Sequence, residues 1–345
     1  MDKRTITGIL TAAVLGILPV TAVFYFSPGK NDISGQKRNA VSRFSQHFPI
    51  MGTVASFTLY CPDEAAFKKA LDAGKREFEA VVKLADLRDE NSELSRLNKS
   101  ACDVPFPCSD AMWFLLTRAE KAYLDSDGSF DITVKPLMEL WGFYRKRRQL
   151  PGESEISAAK ASVGFDKLQL DHQKRTVRFT VPGMALDLGG IAKGYALDRA
   201  ARAVIAAGID RGILDLGGNL KLLPELPPGK KFYTIGIKNP TAPDEILPET
   251  IKLPGDTAVS TSGAYERFVI IENRRFGHII DPRTGFPAQP NAVTVTTRTA
   301  LDSDIFSTTA YIGGRKSAEK LSSQYPGTEF YFTESTTLSK TSRYL

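Results

Sequence analysis

An aspartate and a threonine near the C-terminus have the residue types and the spacing most suited to chemistry. Asp304 and Thr308 lie in the run SDIFST at 303–308. On a helix, residues i and i+4 lie on one face, one above the other. Carboxylate and hydroxyl oxygens are donors that Mg²⁺ accepts, and Mg²⁺ keeps further positions for water and phosphate. The spacing therefore predicts a metal site; the alternative is an ordinary Asp with a Thr bonded to the preceding turn.

A glycine turn is the second candidate. In the run LDLGGIAKG at 186–194, the glycines let the backbone approach a phosphate, and the N-terminus of the following helix favours its negative charge. Lys193 adds a point charge there. The spacing fits neither the dinucleotide fingerprint nor the P-loop, so a phosphate site and a tight packing turn both stay open. The same pattern, LDLGG, recurs in the segment LDLGGN at 214–219. We interpret this second segment as a structural turn beside the first.

Two other segments combine polar groups with aromatic rings or a strand end. Asp131 and Thr133 could contact a polar ligand while Trp141 and Phe143 supply apolar area. The alternative is a helix N-cap followed by core aromatics.

His278 precedes the turn DPRTG at 281–285, and His is the side chain best suited to proton transfer near neutral pH. Its alternative is a satisfied polar group at a strand end.

The elements that must position these residues mix hairpins with single helices. Apolar periodicity predicts helices over 63–86 and 194–207, and Ser109 caps another. A hairpin is predicted at 168–179. Further strands are predicted at 51–60, 184–188, 212–216, 232–237, 268–272 and 293–297. This order predicts an α+β fold rather than a doubly wound parallel sheet.

The bulk composition is that of a globular chain. It has 345 residues, 42% of them hydrophobic, and a formal net charge of +6. Because the basic residues are scattered, we do not expect a nucleic-acid partner. The densest basic run, RKRR at 145–148, is interpreted as a solvated helix end.

The N-terminus predicts export. A basic start, MDKR, precedes an apolar stretch from 6 to 26, which is typical of a secretory signal or an uncleaved membrane anchor. Residues 27–45 follow as a linker, and 46–345 form the functional domain. An oxidising compartment makes a Cys102–Cys108 disulfide plausible, with Cys61 left over.

Seven segments, in register along the chain, resemble the ApbE family, the FAD:protein FMN transferases. They are MGT at 51–53, SELSRLN at 92–98, FDIT through WGF at 130–143, 187–194, VSTSG at 259–263, 278–285 and 303–308. The resemblance implies a single α+β domain, related to the T-fold, of mixed sheets with packed helices, and FAD held in a cleft.

Carried over by position, the resemblance also implies a set of site residues. The FAD site would be lined by Met51, Ser129, Phe130, Asp131, Asp187, Lys193 and Ile280. The metal site would use Asp304, Thr308 and the backbone oxygen of Gly190. His278 falls where the family has a proposed proton acceptor. Arg88 departs from the pattern, because an aromatic residue is usual there; its guanidinium could stack on a ring or reach a phosphate.

The implied reaction is Mg-dependent transfer of FMN from FAD to a Thr hydroxyl of an acceptor flavoprotein, releasing AMP. Positioning and electrostatics would supply most of the rate. The acceptor would belong to an extracytoplasmic or membrane electron-transfer complex, and the enzyme to the periplasm, with the inner membrane as the site of an anchor. Two alternatives stay open: a protein that binds or donates flavin without turnover, and a Mg-dependent hydrolase giving FMN and AMP.

Overall fold

The computed structural model describes residues 41–242, 244–289, 292–334 and 337–340. The predicted signal or anchor at 1–26 lies outside the described residues, as does most of the predicted linker. The first strand begins at Ser42, so the end of that linker is already part of the sheet. Within the described ranges, no helix is long and apolar enough to cross a membrane.

The elements alternate as hairpins and single helices. The helices are α1 Glu64–Ala85, α2 Glu93–Ser100, α3 Asp110–Asp125, α4 Lys135–Leu140, α5 Glu153–Ala161, α6 Ala192–Ala206 and α7 Ala300–Gln324. The strands are β1 Ser42–Ile50, β2 Thr53–Cys61, β3 Phe106–Pro107, β4 Leu168–Asp171, β5 Thr176–Phe179, β6 Gly212–Leu216, β7 Asn219–Leu222, β8 Tyr233–Lys238, β9 Ile246–Leu253, β10 Ala258–Gly263, β11 Phe268–Ile271, β12 Arg274–Gly277, β13 Ala292–Thr297, β14 Glu329–Glu334 and β15 Thr337–Lys340.

One eight-stranded sheet organises the fold, in the order β1-β2-β6-β7-β10-β13-β14-β15. Three small sheets, β3-β5-β4, β8-β9 and β11-β12, flank it. The ladders between these strands are antiparallel, which removes the need for parallel crossover units. The predicted α+β class is confirmed, and the predicted strand at 212–216 has the same bounds as β6.

Helix α1 covers the sheet through aromatic packing. Phe57 of β2 and Phe78 of α1 are fully buried and meet edge to face, with ring centroids 5.5 Å apart. Burial of each such ring stabilises the fold by about 1.5–3 kcal/mol. Gly74 makes the approach possible, since a Cβ there would lie 2.4 Å from the Phe57 ring.

Helices α6 and α7 are fixed against each other at their first turns. Asp198 of α6 accepts hydrogen bonds from the amides of Ala300 and Leu301, at 2.8 and 2.9 Å. These amides are among the donors that a helix N-terminus leaves unpaired. Gly194 lies so close to α7 that a Cβ there would be 2.2 Å from the Ala300 carbonyl oxygen. This contact determines where Asp304, one turn further along α7, lies relative to the glycine turn.

The predicted strand at 184–188 is wrong. The segment is extended but joins no sheet. Its partner is a side chain: Asn98 accepts from the Leu186 amide at 2.7 Å and donates to the Leu186 carbonyl at 2.9 Å. The predicted strand at 51–60 begins late, because Met51 and Gly52 form the β1–β2 turn with φ of 50° and 72°. Alternating apolar residues alone do not reveal whether a neighbouring strand exists.

Two other predictions also fail. Cys61, Cys102 and Cys108 are free thiols, and the Cys102 and Cys108 sulfurs face carbonyl oxygens at 3.8 Å instead of each other. The basic run at 145–148 is not a helix end, because α4 stops at Leu140 and the run lies in the loop that follows.

Candidate active site

Asp304 lies between the two glycine turns. Its side chain is almost fully buried. Oδ2 accepts from the Gly194 amide at 2.9 Å, and Oδ1 accepts from Nδ2 of Asn219 at 2.8 Å. The Lys193 ammonium lies 3.5 Å from Oδ1. The carboxylate therefore joins the first turn, the second turn and α7 at one point.

Thr308 and Gly190 lie next to each other, one helical turn beyond this carboxylate. Thr308 is one helical turn beyond Asp304, and its hydroxyl has a long contact of 3.5 Å to the Ser262 hydroxyl. A Cβ built on Gly190 would lie 3.4 Å from Thr308 Oγ1 and 3.1 Å from the Phe130 ring. The structure thus brings together the three residues proposed to bind the metal.

The donor set fits one hard cation. The described residues contain no group of three or more His, Cys, Asp or Glu side chains that could hold a metal. One carboxylate, one hydroxyl and one backbone oxygen suit Mg²⁺, which is commonly held by one or two carboxylates together with substrate phosphates and water. Asp304 keeps acceptor capacity for this role, since each carboxylate oxygen has two lone-pair sites.

Buried charges surround this position. Burial opposes the charge of Lys193, but Asp304 and Glu266 outweigh it and raise the pKa of Lys193 above its ordinary value. Burial raises the pKa of Glu266 to about 7, against the opposing charge of Lys193. Burial also raises the pKa of Asp215 to about 7, although its carboxylate accepts from the Gly218 amide at 2.8 Å. Glu266 and Asn219 were not identified from the sequence, although the repeated LDLGG segment was an available signal for Asn219.

His278 is held as a neutral base. Its Nδ1 lies 3.1 Å from the Arg267 carbonyl oxygen, which can only accept, so Nδ1 carries the proton. Nε2 is then left as the basic nitrogen. Burial, with the charges of Arg267 and Lys193, lowers the pKa of His278 to about 3. The imidazole is therefore uncharged at neutral pH with Nε2 unprotonated, and a ligand that offsets the charges of Arg267 and Lys193 would make it more basic.

Asp187 is oriented by its neighbours. Its Oδ1 accepts from the Gly189 amide at 2.6 Å, and its Oδ2 accepts from the Tyr144 hydroxyl. The Tyr144 ring lies 5.6 Å from the Arg267 guanidinium. Tyr144 and Arg267 connect Asp187 to the strand end that carries His278, and neither was identified from the sequence.

The segment 129–131 borders Gly190 through Phe130. The Ser129 hydroxyl is buried and has no hydrogen-bond partner among the described residues. Asp131 accepts from the amide and the hydroxyl of Thr133 at 2.8 and 2.7 Å, and burial raises the pKa of Asp131 to about 6. The cap interpretation therefore describes Asp131. Trp141 and Phe143 are buried, as the core interpretation expected.

Met51 belongs to the β1–β2 turn, and Arg88 lies beside the same turn. Arg88 forms a two-pronged ion pair with Asp86, at 2.9 and 2.8 Å, which fixes its guanidinium plane beside Gly52. A Cβ on Gly217 would lie 2.7 Å from the Thr53 hydroxyl, so the β1–β2 turn abuts the turn that carries Asn219.

Ile280 is placed differently from the other predicted residues. Its side chain is buried in a hydrophobic cluster with Trp141 and Phe276. A ligand could therefore meet Ile280 only through its backbone.

An α+β fold with glycine turns, a pair of hard oxygen donors and a neutral imidazole has the groups needed to bind a nucleotide phosphate beside a cation. The family model described as the ApbE family matches residues 51–332, and the chain belongs to this family.

Individual relatives agree with the family match. The FAD:protein FMN transferase of Klebsiella pneumoniae (strain 342) is 32% identical over 270 residues, covering 77% of this chain and 81% of that protein. The structure of the flavin transferase ApbE from Vibrio cholerae matches with a TM-score of 0.75 and 27% identity, covering 87% of this chain and 97% of the other. The ApbE protein of Thermotoga maritima matches with a TM-score of 0.77 and 26% identity, over the same shares.

Proposed function

We propose that this chain transfers FMN from FAD to a Thr hydroxyl of an acceptor flavoprotein, with Mg²⁺ bound, and releases AMP. The names of its relatives support the donor and the group transferred. The observation that carries the proposal is the placement of Asp304, which is held by both glycine turns and lies one helical turn before Thr308, the neighbour of Gly190.

Asp304, Thr308 and the Gly190 carbonyl would hold the ion. When bound, Mg²⁺ neutralises charge on the phosphate under attack. Lys193 adds a second positive charge at the same place, because the pKa of its ammonium is raised and it stays protonated. The first glycine turn provides backbone that can approach a phosphate closely.

The neutral His278 would serve as the base. The Thr oxygen of the acceptor forms a bond to the FMN phosphorus, and the bond from that phosphorus to the AMP phosphate oxygen breaks. The hydroxyl proton passes to Nε2 of His278, which is the unprotonated nitrogen because Nδ1 donates to the Arg267 carbonyl. AMP leaves with the electron pair of the broken bond.

We also propose that the protein is exported and meets its acceptor outside the cytoplasm. The basic start and the apolar stretch at 6–26 support this, as a signal or as an inner-membrane anchor. The acceptor would then be a flavoprotein of an extracytoplasmic or membrane electron-transfer complex.

The test is to mix the purified full chain with FAD, MgCl₂ and a flavoprotein that contains the acceptor Thr. Covalent flavin fluorescence on the acceptor together with AMP release supports transfer. AMP release with an unlabelled acceptor identifies a hydrolase, and bound FAD without any AMP identifies a flavin-binding protein. An acceptor with that Thr replaced by Ala is the control.

A further inference from the structure

Six exposed cations beside His278 lie on the loop that follows α4 and along the two faces of the β11–β12 hairpin. We call this group of cations the basic rim. It consists of Arg145, Lys146, Arg148, Arg267, Arg274 and Arg275. We propose that the basic rim binds an acidic, extended segment of the acceptor protein on either side of its target hydroxyl. This inference rests on the proposed function only in taking the acceptor to be a protein.

Two contacts join the loop that follows α4 to the β11–β12 hairpin. The Leu150 amide donates to the Glu272 carboxylate at the hairpin turn, at 3.3 Å. At the other end of the hairpin, the Arg267 guanidinium donates to the Phe143 carbonyl oxygen at 2.6 Å. The loop and the hairpin are therefore held side by side. Arg274 pairs with the buried Ile271 and lies on the hairpin face that packs against the loop, whereas Arg275 pairs with Ile270 on the opposite, exposed face.

The charges of the basic rim are not compensated within the described part of the chain. None of its six cations forms an ion pair with a described carboxylate, whereas Arg147 of the same loop pairs with Glu155 at 2.6 Å. Uncompensated charges of one sign produce a field that attracts a partner of the opposite sign. The surface therefore complements a segment that carries Asp or Glu.

The exposed face of the hairpin adds apolar area next to Arg275 of the basic rim. Phe268 is 43% exposed and Ile270 is 64% exposed. Ile270 pairs with Arg275 in the ladder, so these side chains lie on the same face as Phe268, two residues away. The Arg275 guanidinium lies 3.7 Å from the centre of the Phe268 ring. Arginine and aromatic side chains together are characteristic of protein–protein interfaces.

The basic rim leads directly to the base. Phe268 pairs with Gly277, and the His278 amide continues the pairing by donating to the Arg267 carbonyl at 3.1 Å. A groove of about 240 Å³ lies beside this end of the hairpin, with Tyr265, Gly277 and Pro287 among its lining residues. A segment lying along the hairpin would thus carry its hydroxyl towards His278.

The position next to His278 favours a protein over a membrane as the partner. Anionic lipid would also attract cations and exposed apolar side chains. A bilayer resting on this hairpin would, however, cover the side from which a polypeptide hydroxyl must approach the base. An acidic segment of the acceptor meets both requirements.

The experiment measures fluorescence anisotropy of a labelled peptide with glutamates on both sides of a Thr, added to the full chain without FAD or Mg²⁺. A peptide with glutamines in place of the glutamates is the matched probe. The R148Q/R274Q variant removes one charge from the loop and one from the hairpin. The K69Q/R76Q variant removes two exposed charges from α1 and is the control for net charge.

We expect the glutamate peptide to bind more tightly than the glutamine peptide, and R148Q/R274Q to weaken its binding about tenfold, with a loss that shrinks as salt is added. K69Q/R76Q should bind like the wild type. Equal binding of both peptides, or equal weakening by both variants, overturns the proposal. The proposal is also overturned if R148Q/R274Q weakens binding to phosphatidylglycerol vesicles but not to the glutamate peptide, which would assign the surface to a membrane.

This measurement is independent of the proposed reaction. If the glutamate peptide binds but no acceptor is ever flavinylated, the proposed function fails and the binding surface stands. If transfer proceeds and the peptides bind alike, the surface fails and the proposed function stands. FAD affinity and melting temperature of R148Q/R274Q, expected to equal those of the wild type, show that the variant is folded.

Discussion

The amide of Gly194 donates a 2.9 Å hydrogen bond to the carboxylate of Asp304, which joins the first turn of α6 to α7. The same glycine lies where any Cβ would strike the Ala300 carbonyl and the Asp304 side chain. The candidate metal ligand Asp304 is thus oriented by the main chain of α6. Its position depends on the absence of a side chain at Gly194.

Replacing Asp304 by Ala should abolish transfer while leaving FAD binding measurable. The variant loses its carboxylate ligand, and loss of an electrostatic group aimed at the reacting centre lowers turnover by about 10²–10³-fold or more. Transfer is measured by covalent flavin on the acceptor and Mg²⁺ binding by calorimetry. Asp302→Ala, on the same helix turn, is the control and should lose only stability, because Asp302 interacts with Thr299 and Arg118. Normal Mg²⁺ binding by the Asp304 variant would remove it from the metal site.

Gly194→Ala should destabilise the protein, although Ala normally favours a helix over Gly by about 1 kcal/mol. The added methyl would lie 2.2 Å from the Ala300 oxygen and 2.8 Å from Asp304 Cβ. Forced packing of this kind costs about 1–3 kcal/mol. Urea unfolding measures the free energy of unfolding. An unchanged or increased value would mean that α6 and α7 are not in this contact.

His278 should contribute an acid-sensitive part of the stability. Its folded pKa, about 3, lies below the ordinary value of 6.5, so the unfolded state binds more protons between these values. Stability from this group is therefore present above about pH 6.5 and is lost as the pH falls towards 3. Unfolding of His278→Gln followed over this range should show a shallower pH dependence than the wild type. Parallel curves would show that the imidazole is not held neutral by the fold.

A bound ligand should raise the pKa of His278. The positive charges of Arg267 and Lys193 help to lower it, and the phosphates of FAD would offset those charges. NMR titration of the imidazole with and without FAD measures the shift. A pKa that falls or stays constant on addition of FAD would place the diphosphate away from this group.

Asp215 should act on stability with the opposite sign. Its folded pKa, about 7, lies above the ordinary 3.8, so the folded state binds more protons between these values, and stability falls as the pH rises through that window. Asp215→Asn keeps an acceptor for the Gly218 amide and cannot ionise. The free energy of unfolding of this variant, relative to that of the wild type, should therefore be higher at pH 8 than at pH 4. Asp210→Asn, at an exposed position before β6, is the matched control and should show no such gain.

Much of the site follows from local sequence, because its elements have local signals. The i, i+4 spacing of Asp304 and Thr308 and the two LDLGG words predict where donors and turns lie, and the structure places them together. The second LDLGG segment marks the turn that ends at Asn219, but neither the contact made by Asn219 nor the role of Arg267 could be assigned in this way. Their contacts with Asp304 and His278 span 85 and 11 residues and depend on how α7 and the hairpin pack.

The failures have a similar cause. The segment 184–188 alternates like a strand, yet the side chain of Asn98 replaces the neighbouring strand that would complete a ladder. Cys102 and Cys108 are near each other in sequence, but each thiol is directed to a separate carbonyl. Pairing between distant or divergent groups is decided by tertiary packing, which sequence spacing does not encode.

Arg267 offers one carbonyl oxygen to both the amide and the ring of His278, while its guanidinium faces solvent and the Phe143 carbonyl. The residue that fixes the tautomer of the imidazole is thus also part of the surface where a second protein would land. A partner that contacts the Arg267 guanidinium would therefore act on the proposed base, His278, through a single residue. Binding of the partner and the proton affinity of His278 would then be coupled.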